Sequence, residues 1–89
     1  MYRISALSKK KSNRTHWQDL ITGKIGKAMY VKVGERCQIR YYLDDDDKSM
    51  PYTICTSTVK SFSETDDGYV IETLNTYYIF KEIDWYGLF

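Results

Sequence analysis

Four consecutive aspartates, Asp44, Asp45, Asp46 and Asp47, followed by Lys48, are the densest set of side chains here with the chemistry to hold a cation. A calcium loop of the EF-hand kind needs oxygen ligands at positions 1, 3 and 5, glycine at 6 and glutamate at 12. Counted from Asp44, position 5 is Lys48, position 6 is Ser49 and position 12 is Cys55. Counted from Asp45, position 6 is Met50 and position 12 is Thr56. Both registers fail. Adjacent carboxylates also repel, and an extended chain sends neighbours to opposite sides. No specific metal site is expected. Two readings remain: a solvated loop ending at Pro51, or an acidic prong that imitates a phosphate backbone and occupies a basic groove on a partner protein. Glu64, Asp66 and Asp67 lie on a second loop and would join the prong if folding brings both loops to one end.

The opposite chemistry sits near the start. Lys9, Lys10, Lys11 and Arg14 form a basic cluster, followed by His16 and Trp17, and Lys24, Lys27 and Lys32 extend the charge. Lysines neutralise phosphates and aromatic rings stack on bases, so this pattern suits nucleic acid. The isoelectric point near 7.7 argues the other way, because dedicated nucleic-acid binders are more basic. The net charge of +1 hides a split: residues 1–43 carry 10 − 2 = +8 and residues 44–89 carry 3 − 10 = −7. Such a division marks a binding surface, unless antiparallel strands interleave the halves as cross-strand pairs.

Little else offers reactivity. His16 is the single histidine, and a catalytic role would need a nucleophile and an orienting group beside it. There is no Walker loop, GxGxxG or HExxH. Cys37 and Cys55 have no zinc-type spacing and read as two small apolar side chains on separate strands. The sequence therefore implies no enzyme and no cofactor.

Eighty-nine residues make one small domain. A chain of this length buries only about 60–65% of its unfolded surface, which leaves a thin core. No apolar run reaches the roughly 18 residues of a membrane span, and the first residues lack the apolar core of a signal peptide. A soluble, cytoplasmic protein is expected.

The positioning elements are mostly strands. Tyr2–Ser8 reads as a first strand, with Tyr2, Ile4 and Ala6 on one face. Lys9–Arg14 is a loop. Thr15 to Gln18 fits a capping box, Trp17, Leu20 and Ile21 follow at helical spacing, and Gly23 is a stop signal. One short helical turn is expected there, with Trp17 plugging the core. Ala28–Val33 is strand-like and Gly34-Glu35 is a turn. In Cys37–Leu43, Cys37, Ile39, Tyr41 and Leu43 alternate against Gln38, Arg40 and Tyr42, as in a half-buried strand. Tyr52–Phe62 is rich in β-branched residues. Ser63–Gly68 is a hairpin loop whose Asp-Gly supplies a positive φ. Tyr69–Thr73 and Tyr77–Ile83 are strands around a tight reversal at Leu74-Asn75-Thr76, where Asn75 takes the left-handed conformation. Thr56, Ser57 and Thr73 are placed to satisfy backbone groups at bulges or turns, and Tyr78 and Phe80 to fill the interior. The tail Asp84–Phe89, DWYGLF, is apolar and should fold back over an open edge or meet a partner. Short strands with frequent turns imply a small, mainly β, mostly antiparallel barrel of five to six strands.

Three pieces in order, Ile25–Met29 (IGKAM), Thr56–Phe62 (TSTVKSF) and Val70–Phe80 (VIETLNTYYIF), resemble a group of small SH3-like β-barrel proteins of bacteria and phages. Members read iGkpm, then TSpV, then vvTxNsxYxl. Here Ala28 and Thr58 stand where proline is usual, and Leu74 precedes Asn75. The resemblance implies the barrel and a mobile-element setting, but no shared activity. The expectation is a non-catalytic protein-interaction module, such as an anti-CRISPR-like inhibitor of a nucleic-acid-handling host complex, acting through the acidic loops. The alternatives are direct nucleic-acid binding through Lys9–Arg14 with Trp17, and an assembly role through the apolar tail.

Overall fold

A computed structural model describes residues 1–10, 16–43 and 50–83, with the side chains of His16 and Trp17 left aside. The elements are β1 (Tyr2–Ser8), α1 (His16–Ile21), β2 (Ile25–Tyr30), β3 (Arg36–Tyr42), β4 (Tyr52–Thr65), β5 (Gly68–Thr73) and β6 (Thr76–Glu82). Each strand pairs antiparallel with the next, and β6 pairs back onto β1, so the sheet closes as a six-stranded barrel. Closure gives every strand a neighbour on both sides over at least part of its length. Ser8, Ile25, Tyr42, Tyr52, Thr73 and Thr76 bound one end of the barrel. Tyr2, Tyr30, Arg36, Thr65, Gly68 and Glu82 bound the other.

The interior follows the alternation of the strands. Ile4, Cys37, Ile39, Tyr41, Val59, Ile71, Tyr78 and Phe80 are buried together. In the lower half, Tyr69 stacks on Phe80 at 4.5 Å and meets the Tyr2 ring edge-on at 4.9 Å. Edge-to-face and offset stacks suit the aromatic quadrupole.

Helix α1 closes the upper end. Ile21 enters the core, and the buried Gln18 amide donates to Thr76 Oγ1 at 2.6 Å. The helix stops at Gly23, whose φ of 89° costs a glycine little. The Gly23 amide then donates to the Ile4 carbonyl at 2.7 Å, tying the helix to β1. Trp17, expected as the plug, has a side chain outside the described residues, and so does the cap at Thr15.

Bulges bend the barrel. Between Ala28 and Tyr30 the β2 register slips by one residue against β3. β4 slips twice, opposite Cys37 and again between Val59 and Ser61. An extra residue in one strand kinks it and increases its twist. The 14-residue β4 thus serves β3 with its first part and β5 with its second. Thr56 repairs the first slip: its Oγ1 accepts the buried Cys37 amide at 3.1 Å. Thr73 closes the β5–β6 reversal: its Oγ1 accepts the Thr76 amide at 3.1 Å, and its hydroxyl donates to the Thr76 carbonyl at 3.0 Å.

Several expectations are corrected. β2 spans Ile25–Tyr30 rather than Ala28–Val33, because its ladder runs from Tyr42 to Gln38 and leaves Val31–Glu35 as the connection. Among the described residues only Gly23 and Gly34 have positive φ. Asn75 is therefore not left-handed, and Gly68 is not there for its φ. A Cβ on Gly68 would lie 1.8 Å from the Phe80 carbonyl oxygen, so the position needs glycine for close approach. Cys37 is core, but Cys55 faces solvent.

Candidate functional site

Among the described residues, those singled out from sequence do not gather into one site. Asp44–Asp47 lie outside the described residues. Glu64, Asp66 and Asp67 are exposed at the β4–β5 hairpin. That hairpin closes the lower end, whereas β3 ends and β4 begins at the upper end. The Asp67 carboxylate accepts a hydrogen bond from the Thr65 hydroxyl at 3.2 Å.

The basic cluster is divided as well. Lys11 and Arg14 lie outside the described residues. Lys10 is exposed. Lys9 is committed internally: its Nζ lies 2.5 Å from Glu72 Oε2 and 5.1 Å from the centre of the Tyr77 ring. Ser61 donates to the other Glu72 oxygen at 3.1 Å. The hydrogen bonds from Lys9 and Ser61 hold the Glu72 carboxyl below the usual carboxylate range. Here the early basic half and the late acidic half do interleave.

They do not on the outer face of β2 and β3. Lys27 lies directly opposite Arg40, and directly opposed residues of an antiparallel pair point to the same side. Two steps along β3 the exposed Gln38 faces Tyr30, which is 58% exposed. The β2 bulge puts Lys27 and Tyr30 on one face although they are three apart in sequence. Arg36 lies on the same side of β3, about 13 Å from Arg40. The outward neighbours on β4 are Thr53 and Cys55, both exposed. No carboxylate lies among these outward positions. Among the described residues Lys27, Arg36 and Arg40 have no ion-pair partner; Lys32, at the adjoining turn, pairs with Glu35 at 3.4 Å. Like charges set directly opposite are unfavourable for a sheet, so the Lys27–Arg40 pair is a cost that an anion would relieve. Sequence reading counted Lys27 only as an extension of the early cluster and assigned no role to Arg36 or Arg40. Its available signal was the cations at Arg36 and Arg40 on the outward phase of β3.

At the lower end a groove of about 450 Å³ is lined by Tyr2, Lys27, Ala28, Val31, Val33, Phe62 and Tyr69. Its wall is mostly apolar, with Lys27 the one charged side chain among these lining residues. No group of three or more His, Cys, Asp or Glu side chains placed to hold a metal occurs among the described residues. Burial pushes the Cys37 thiol up to about 11, which leaves it protonated and unreactive at neutral pH.

The arrangement is that of a closed antiparallel barrel with a cationic, tyrosine-bearing sheet face on one side and an apolar groove at one end. Comparison with known protein families, curated proteins and solved structures found no match for this chain. No helix among the described residues is long and apolar enough to cross a membrane.

Proposed function

We propose that the protein is a small non-catalytic binding barrel whose β2–β3 face holds a single-stranded nucleic acid. The observation that carries this reading is the trio Lys27, Arg36 and Arg40, which has no ion-pair partner and no carboxylate neighbour on this face among the described residues, beside the exposed Tyr30. Cations neutralise backbone phosphates, and an exposed ring stacks on any base, which gives sequence-tolerant affinity. The reading keeps the nucleic-acid class suggested by the basic segment Lys9–Arg14 but moves it to a different surface, because Lys9 is held by Glu72.

The test is a fluorescence-anisotropy titration of a labelled oligothymidine at two salt concentrations. For single strands the logarithm of affinity falls by about 0.7 per phosphate contact for each logarithm of salt. Three contacts therefore correspond to about a twentyfold loss between roughly 50 and 200 mM salt. Arg40→Ala, Arg36→Ala and Lys27→Ala should each weaken binding and flatten that slope, while Lys60→Ala on β4 should not. Absence of binding at the lower salt ends the reading. Equal affinity for polyglutamate would reassign the face to acidic protein partners.

A further inference from the structure

We propose that residues 84–89, DWYGLF, dock into the apolar groove at the lower end of their own barrel, with the Trp85 ring among Val31, Val33, Phe62 and Tyr69. The groove is set where the described chain leaves off. β6 ends at Glu82, which pairs with Tyr2, and the Ile83 amide donates to the Met1 carbonyl at 3.1 Å. Tyr2 is itself a wall of the groove. A following segment of six residues spans at most about 20 Å when extended, and it starts beside the cavity it would fill.

The groove has a free flank on the matching side. β1 pairs with β2 only through Tyr2 and Arg3. From Lys27 onward β2 has no strand beside it on that flank among the described residues. The Ala28 amide is satisfied there by the Tyr69 hydroxyl instead. A chain continuing past Ile83 would run into that gap.

Chemistry matches on both sides. The groove exposes apolar walls, with Val33 at 59% and Phe62 at 41% accessible. The segment carries Trp85, Tyr86, Leu88 and Phe89. A volume of about 450 Å³ falls within the range of pockets that take compact, largely apolar ligands, and one indole fits that description. Lys27 at the rim offers a cation for an indole face. Leaving these aromatics and the groove both in water would expose an apolar patch of the kind that drives association.

Nuclear Overhauser spectroscopy of the full chain tests this without any substitution. The Trp85 ring should give cross-peaks to the Val31 and Val33 methyls. Trp85→Ala should shift those methyl resonances and leave Ile4 and Ile71 in place. A sample mixing isotope-labelled and unlabelled chains identifies the donor of the ring. Cross-peaks within one chain support self-docking. Cross-peaks only between labelled and unlabelled chains overturn it in favour of a second copy. Lack of contact between Trp85 and either valine overturns it outright.

Discussion

The Tyr69 hydroxyl, on β5, reaches across the barrel and accepts the Ala28 amide of β2 at 3.0 Å. A side chain thereby completes a ladder where no strand of the described residues lies alongside. The same ring packs between Phe80 and Tyr2. Tyr69→Phe keeps the packing and removes the acceptor. It should cost about 1 kcal/mol, because the donor left without its partner is only part-buried. Urea unfolding of both forms measures it, and an unchanged midpoint would show that the bond contributes nothing.

Gly68 touches the carbonyl oxygen of Phe80 so closely that no side chain fits. Gly68→Ala must push β5 away from β6 at the point where the β4–β5 hairpin starts. A loss of about 3 kcal/mol is expected, at the upper side of ordinary overpacking. A thermal melt matching that of the parent protein would mean that the strands yield without cost.

Lys27 and Arg40 set a functional feature against stability. Lys27→Glu converts a like-charge pair into an opposite-charge pair. The variant should gain about 0.5 kcal/mol of stability while losing oligonucleotide affinity. Parallel chemical denaturation and anisotropy curves are the check. Lower stability together with unchanged affinity would contradict both parts.

Glu72 gives an acid dependence. Its carboxyl is lowered by the hydrogen bonds from Lys9 and Ser61. A lowered carboxyl stabilises the fold above its unfolded value, near 4.3. That contribution is lost as pH falls through the lower folded value. Glu72→Gln should flatten this part of the acid limb and leave the remainder. Melting temperatures between about pH 2 and 6 read it, and identical acid limbs would remove Glu72 from the account.

At the alkaline side the direction reverses. Burial raises the hydroxyls of Tyr41, Tyr69 and Tyr78, and the Cys37 thiol to about 11. Groups raised in the folded state give their full stabilisation below their unfolded values, about 8.5 for the thiol and 10 for tyrosine. It is lost as pH rises through the higher folded values. Circular dichroism melts should hold steady to about pH 8 and fall steeply beyond 10. A flat profile up to pH 11 would mean that these groups ionise without opening the barrel.

Much of the fold was legible residue by residue. The alternation from Cys37 to Tyr42 announces β3 because side chains of a strand change sides at every step. The terminator Gly23, the helical spacing before it and the paired hydroxyl at Thr73 are likewise local signals. Asn75 and Gly68 misled, since the propensity of an isolated residue does not say what carbonyl lies beside it. The bulge in β2 was invisible for the same reason: an extra residue exists only relative to the strand it faces. Short-range pattern thus determined a β protein of six strands with one helical turn and inward positions at Ile4, Ile39, Tyr41, Tyr78 and Phe80. Tertiary structure alone decided that Lys9 is spent on Glu72 while Lys27, Arg36 and Arg40 share a bare face. The physical reason is register: which charges meet depends on pairings between strands, and no single stretch of chain contains that information.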